Sequence, residues 1–95
     1  MTETVSKTAT RDEWTELCAG AATVLVAIQF ENRPVDDSNA VLVRISPTNP
    51  GIDVNDGFQL DLWQRSFGAT NLTDDDKVWA RAECPETVKL MVAHT

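Results

Sequence analysis

The stretch TVLVAIQF (residues 23–30) contains an unbroken aliphatic run from Val24 to Ile28. A strand with one face in water alternates apolar and polar residues, whereas this run has no polar break. Its short length and its β-branched residues favour a strand over a helix. We therefore predict a central strand that is covered on both faces, with the rest of the fold built around it.

Three later segments alternate apolar and polar residues with the period of a half-buried strand: residues 40–46, 77–83 and 87–93. We expect the apolar row of each segment to point into the core. These rows are Val41, Val43 and Ile45; Val78, Ala80 and Ala82; and Val88, Leu90 and Val92. Because only the tripeptide CPE separates the last two segments, we predict that they pair as a hairpin.

Two further segments are weaker strand candidates. Residues 57–63 alternate, and we expect Phe58, Leu60 and Leu62 to point inward. Residues 11–18 fit either one helical turn or an irregular first strand. We favour the strand, which the following AGAA sequence ends.

Turn-forming residues separate these segments, because Pro fixes φ and Asp and Asn bond their own backbone. They dominate residues 31–39, 46–57 and 65–76, and in the last of these Ser66 and Phe67 suggest a short edge pairing. Roughly six or seven short strands with such turn signals predict an all-β fold. The expected architecture is a small antiparallel β-sandwich or barrel of the jelly-roll type.

The first eleven residues (MTETVSKTATR) have no periodic apolar pattern. A segment of this kind gains little burial to offset the entropy lost on ordering. We therefore predict a flexible N-terminal arm over residues 1–11 and a single β-sandwich domain over residues 12–95, since a chain of this size supports one core.

The charge of the chain argues against a nucleic-acid partner. Fifteen acidic residues against 8 basic ones give a net charge of −7, and no basic cluster is present to bind a phosphate backbone. No apolar stretch approaches the roughly 20 residues that span a bilayer, and the N-terminal residues lack the apolar core of a signal peptide. We expect a soluble chain with no membrane partner.

No motif in the chain predicts catalysis, a metal or a cofactor. His94 is the sole histidine and has no nucleophile placed to use it. The run Asp74-Asp75-Asp76 indicates a solvated turn, because three adjacent carboxylates cannot all turn inward to a cation. The segment DVNDG (residues 53–57) lacks EF-hand spacing, and no glycine-rich phosphate motif occurs. We expect no enzymatic activity.

The tryptophans and one neighbouring arginine are the candidate contact residues: Trp14, Trp63, Trp79 and Arg81. Two of the three indoles fall opposite the aliphatic rows, where a ring can anchor a subunit contact, cover the core margin or stack on a sugar. We favour the core margin or a protein interface over a sugar platform.

The two cysteines, Cys18 and Cys84, have three alternative roles. Both can be buried or free thiols, which is the commonest state in proteins made inside cells. Both can join in a disulfide within the chain, which would stabilise the fold by about 4 kcal/mol through the loop it closes. Each can also bond a neighbouring subunit.

Three segments carry a resemblance to a known family: NAVLVRI (residues 39–45), GFQL (residues 57–60) and KVWAR (residues 77–81). In this order, after an opening segment with a tryptophan, they resemble small β-sandwich structural proteins of tailed bacteriophage virions. The resemblance spans residues 14–92, although the two cysteines depart from the pattern.

This resemblance implies a non-enzymatic protein of the virion, made in the host cytoplasm. Such a protein decorates or cements a capsid, or forms part of a collar or tail, and it binds and stabilises the lattice. The implied partners are capsid or tail subunits and further copies of the chain, with a trimer favoured. The alternative is a carbohydrate-binding or receptor-adhesion module that uses exposed tryptophans.

Overall fold

The computed structural model describes residues 3–20, 22–28, 40–51, 53–54, 56–61, 64–83 and 87–94. These residues form eight β-strands. They are β1 (Glu3–Ala9), β2 (Thr15–Ala19), β3 (Val24–Ile28), β4 (Val41–Ser46), β5 (Phe58–Leu60), β6 (Ser66–Ala69), β7 (Lys77–Ala82) and β8 (Val88–His94). The predicted all-β class is confirmed, with eight strands where six or seven were expected.

The strands pair into two antiparallel sheets of four strands each. Sheet A has the order β1-β8-β3-β6, and sheet B has the order β2-β7-β4-β5. Contacts between the sheets join β1 to β2 at one side and β5 to β6 at the other. The sheets are therefore stacked edge over edge as a sandwich, and each has an inner face and an outer face.

The inner faces of both sheets form one core. The alternation predicted for β4, β7 and β8 is confirmed, since the apolar row of each strand faces this core. All members of these rows are buried except Ile45 of β4, which is partly buried. The largest fully buried side chains come from both sheets: Leu17, Val26, Val41, Val43, Leu60, Val78, Leu90 and Val92. Deleting methylenes from such a row costs both transfer energy and a cavity, so these rows hold the two sheets together.

The prediction that the central run is covered on both faces is wrong. β3 is an inner strand of sheet A, between β8 and β6, and it buries Val24, Val26 and Ile28. The side chain between the first two of these, Leu25, is 52% exposed. The run lacks polar residues because its outer positions are apolar as well, although no second layer covers them in the described part of the chain.

The predicted hairpin between the last two strands is also wrong. β7 pairs with β2 and β4 in sheet B, whereas β8 pairs with β1 and β3 in sheet A. Each strand has an apolar row that needs a facing layer. Because the chain changes sheet between them, the two rows enter the same core from opposite sheets, which a hairpin within one sheet would not allow.

The prediction of a flexible arm is wrong for Glu3–Ala9, which form β1. All seven residues of this strand pair in unbroken register with β8. Its sequence hides the strand because only Val5 and Ala9 supply apolar side chains to the core. The ladder to β8 compensates for the small amount of apolar area that β1 buries.

At the open side of the sandwich, β5 and β6 lie over one another. The prediction for Leu60 is confirmed, since this side chain is 1% exposed. Phe58 was also expected in the core, but it is 57% exposed at the sheet edge, and its ring lies 4.8 Å from that of Phe67 on β6. The short edge pairing expected near Phe67 is present as β6.

We predict that Gly57→Ala destabilises the protein by about 1–3 kcal/mol. Gly57 precedes β5, and a Cβ atom there would lie 2.7 Å from the carbonyl oxygen of Val43. Gly68→Ala is the matched control, because its Cβ would meet nothing closer than 3.8 Å. Urea unfolding measures both free energies, and equal stability of the two variants would contradict the close approach of β5 to β4.

Candidate interaction surface

On the outer face of sheet B, Trp14, Leu42 and Trp79 form a small buried cluster, here called the tryptophan cluster. Trp79 comes from β7, Leu42 from β4, and Trp14 precedes β2. Val54, from the connection between β4 and β5, packs against the cluster. This connection therefore covers the outer face of its own sheet.

Both indoles of the tryptophan cluster are hydrogen-bonded within the chain. Nε1 of Trp14 donates to the carbonyl oxygen of Gly51 at 2.8 Å, and Nε1 of Trp79 donates to that of Ser46 at 3.0 Å. Trp14 is 4% exposed and Trp79 is 9% exposed. Neither ring offers a stacking platform for a sugar, and their position agrees with the core-margin interpretation. Trp63 lies outside the described residues.

Arg81 ties the same region together. Its Nε donates to the carbonyl oxygen of Arg11 at 2.9 Å, and its Nη1 donates to that of Val54 at 3.2 Å. Arg81 and Arg11 also line an open depression of about 290 Å³, together with Leu42, Ala82 and Glu83. Arg81 thus holds the β4–β5 connection and the segment before β2 against sheet B.

The remainder of this outer face is charged. Arg44 forms an ion pair with Asp56, and Lys77 Nζ lies 3.5 Å from a carboxylate oxygen of Glu16. Exposed pairs of this kind contribute little stability. They nevertheless make the outer face of sheet B polar. With the β4–β5 connection lying over the tryptophan cluster, this face is covered and bonded within the chain.

The outer face of sheet A has the opposite character. Residues directly opposite one another on paired strands share a face, so the strand registers define which side chains lie there. They are Thr4, Ser6 and Thr8 on β1; Lys89, Met91 and Ala93 on β8; Leu25 and Ala27 on β3; and Ser66 and Gly68 on β6. We call this set the low-charge face.

Lys89 alone is charged among the residues of the low-charge face, although 24% of the chain is charged. Leu25 lies near its centre, opposite Ala93 on one side and Gly68 on the other. Small neighbours leave Leu25 standing above the sheet, 52% exposed. A surface that is poor in charge and has an apolar centre resembles the core of a protein interface more than ordinary surface.

The chemically reactive residues are dispersed. His94 ends β8, where it is paired with Glu3 and Val24. The acidic run forms the predicted turn, in which Asp76 Oδ2 accepts hydrogen bonds from the backbone N–H and the hydroxyl of Thr73. Among the described residues, no three His, Cys, Asp or Glu side chains lie close enough to hold a metal ion.

Cys18 has a free, buried thiol. A bulge in the pairing of β2 with β7, between Glu16 and Cys18, directs both Leu17 and Cys18 into the core. Burial raises the pKa of the Cys18 thiol and the charge of Glu16 raises it further, while a backbone hydrogen bond from Val78 acts in the opposite direction. Cys84 lies outside the described residues, so its own role stays a prediction.

No family model, curated protein or solved structure matches the chain. A search of the described residues for a helix long and apolar enough to cross a membrane found none.

Sequence reasoning missed the low-charge face. The available signal was the absence of charge at alternate positions of three segments: Thr4, Ser6 and Thr8; Leu25 and Ala27; Met91 and Ala93. The pattern has no meaning until the pairing of β1, β8 and β3 aligns these positions. That pairing joins residues far apart in the chain, so no local window of sequence reveals it.

We predict that Trp14→Phe and Trp79→Phe each lower the free energy of unfolding by about 1–3 kcal/mol, because a partly buried carbonyl loses its donor. Thr48→Ala is the control, since Thr48 is exposed in the connection that covers the cluster. It should change stability by less than about 0.5 kcal/mol. Urea unfolding measures all three, and two neutral tryptophan variants would contradict the burial of these rings.

We predict that native Cys18 reacts with iodoacetamide at pH 8 more than about tenfold more slowly than the same thiol in urea, because burial and a raised pKa both deplete the thiolate. The folded state also keeps the thiol proton to higher pH than the unfolded chain. Stability should therefore fall as pH rises past the ordinary thiol pKa of 9.0.

The labelling is followed by mass spectrometry in a Cys84→Ser background, so that a single thiol is counted. Cys18→Ala in the same background is the control for the pH dependence, and its stability should decline less above pH 9.0. Equal labelling rates with and without urea would contradict a buried Cys18.

Proposed function

We propose that the chain is a non-enzymatic structural protein that binds the protein lattice of a virion, in a capsid or tail, and stabilises it across subunit boundaries. The low-charge face is the observation that carries this proposal. It is a broad sheet surface that no described segment of the chain covers, with Leu25 half exposed near its centre. The assignment to a virion rests on the sequence resemblance.

The size of the low-charge face favours a repeating partner. Four strands about 4.8 Å apart, with about six residues each at 3.3 Å per residue, cover roughly 400 Å². A stable pair of proteins usually buries about 800 Å² on each side. One such face therefore gives a weak contact, whereas many copies on a lattice hold firmly through avidity.

The opposite side of the sandwich suits a structural role as well. The tryptophan cluster and the bonds of Arg81 fix the β4–β5 connection over sheet B. Since this outer face is bonded within its own chain, the low-charge face of the other sheet is the surface offered to a partner. The sugar-binding alternative receives no such support, because the described tryptophans are buried.

The first test is whether the chain is a stoichiometric component of virions. Particles are purified by density gradient from a lysed culture of the source, and the chain is quantified against the major shell protein by mass spectrometry. A fixed ratio that survives a high-salt wash supports the proposal. A chain that is present in the lysate but absent from the particles contradicts it.

We predict that Leu25→Lys weakens binding to virions that lack the chain by at least about tenfold, because a buried leucine contributes about 1.5–3 kcal/mol and a buried lysine has no partner. Gln59→Lys adds the same charge to an exposed position of β5 in the other sheet. This control should bind within about twofold of the native chain by the same area argument.

Binding is measured by cosedimentation of each purified variant with the particles. Equal loss of binding in Leu25→Lys and Gln59→Lys would assign the contact to overall charge and contradict a role for the low-charge face.

A further inference from the structure

The edge strands of the two sheets are unequal. β5 has three residues, β6 has four with a glycine at position 68, and β2 carries a register shift between Glu16 and Cys18. Short strands, glycines and bulges are the devices that keep edge strands from pairing with other chains. β1 has none of these over its seven residues, and it holds one continuous register with β8.

The other side of β1 has no partner strand among the described residues. Alternate backbone N–H and C=O groups of β1 point to that side, as in any strand at a sheet edge. Such an edge binds an extended segment by backbone hydrogen bonds, and side chains decide which segment fits. The side chains of β1 identify that segment.

We propose that β1 pairs antiparallel with β1 of a second copy of this chain, with Val5 opposite Val5 of the copy on a two-fold axis. Directly opposite residues of an antiparallel pair share a face. The inner residues of one copy must therefore lie opposite inner residues of the other. This condition allows only registers in which one strand is shifted along the other by two residues, or by a multiple of two.

Among these registers, the one centred on Val5 brings opposite charges together. Glu3 then lies opposite Lys7 of the copy, and by symmetry the pair occurs twice, while Thr4 lies opposite Ser6 on the outer side. Centring the pair on Glu3 or on Lys7 would place like charges opposite one another, and centring it on Thr4 or on Ser6 would place no two charges opposite one another. Neither Glu3 nor Lys7 has an ion-pair partner within the described chain.

The resulting dimer has one continuous sheet made from two copies of sheet A. The two low-charge faces then lie on the same side of that sheet and adjoin along β1, through Thr4, Ser6 and Thr8. The association closes on itself, because each β1 edge is used once. It gives a two-fold dimer in place of the trimer implied by the resemblance, and it does not depend on which lattice the chain binds.

The test is a charge exchange, measured by sedimentation equilibrium of the full chain over a concentration series at low salt. Glu3→Lys and Lys7→Glu should each raise the dimer dissociation constant by about tenfold, since each turns two attractive cross-strand pairs into repulsive ones. Glu3→Lys combined with Lys7→Glu in one chain should restore dimerisation to within about threefold. An equimolar mixture of the two single variants should form the mixed dimer in preference to either self-dimer.

If overall charge alone governed association, Glu3→Lys would lower the dimer dissociation constant, whereas the proposed pairing predicts that it raises this constant. Glu3→Lys makes the net charge of −7 less negative, which by itself would favour self-association. Glu13→Lys makes the same change at an exposed position outside β1 and is the matched control. It should leave the dissociation constant unchanged or lower it. Circular dichroism checks that each variant has kept its sheet content.

Hydrogen exchange locates the contact, because backbone amides of residues 3–9 should gain protection as the dimer forms. A chain that stays monomeric at all concentrations overturns the proposal. So does a dimer that is unaffected by both single charge changes but abolished by Leu25→Lys, since that dimer would use the low-charge face. Neither result bears on whether the chain is a component of virions.

Discussion

The structure depends on one aliphatic core that the inner faces of both sheets share, to which β7 and β8 each contribute a row. Both are inner strands of their sheets, and each has a partner on either side, so the burial of these rows holds all four neighbouring strands in place. Leu90 and Val92 on β8 are fully buried, as are Val78 and Ala80 on β7. Because the core uses only one face of each sheet, the charge and polarity of the residues on each outer face can vary without changing the core.

The two outer faces differ in what covers them and in which residues they expose. Sheet B uses its own chain as a cover, since the connection after β4 accepts the indole hydrogen bond of Trp14 and packs Val54 on the cluster, while Trp79 donates to Ser46 at the end of β4. The resulting surface is polar and paired. Apart from Lys89, sheet A has small, uncharged or apolar residues at its outer positions, and no described segment covers them. In an acidic chain, a face almost free of charge is the place where a neighbouring protein can approach with the smallest desolvation cost.

The sequence predicted the parts of the fold that depend on local alternation. The rows of β4, β7 and β8 follow from the two-residue period alone. Two features depended on distant residues and were missed: the exposure of Leu25 and the partner of β8. For Trp79, the sequence favoured the core margin or an interface without deciding between them. Leu25 is exposed because the second layer lies on the other side of its sheet, and Trp79 is buried because a connection more than twenty residues upstream folds over it. The candidate surface was missed for the same reason, since three separate segments form it.

β1 takes part in both the low-charge face and the proposed pairing with a second copy, and both depend on how few apolar residues it has. Its uncharged outer residues Thr4, Ser6 and Thr8 give no apolar periodicity, yet the two threonines are good strand formers. With β8 supplying most of the buried area, β1 needs only Val5 and Ala9 to anchor it. Because its outer residues are uncharged, β1 forms one margin of the low-charge face. Its edge also has no bulge and no glycine. A strand with a larger apolar row would hold the sandwich more firmly, but it would leave an exposed apolar edge that pairs with any extended segment. The charges of Glu3 and Lys7 restrict that pairing to a partner of matching sequence, and β1 of a second copy has that sequence.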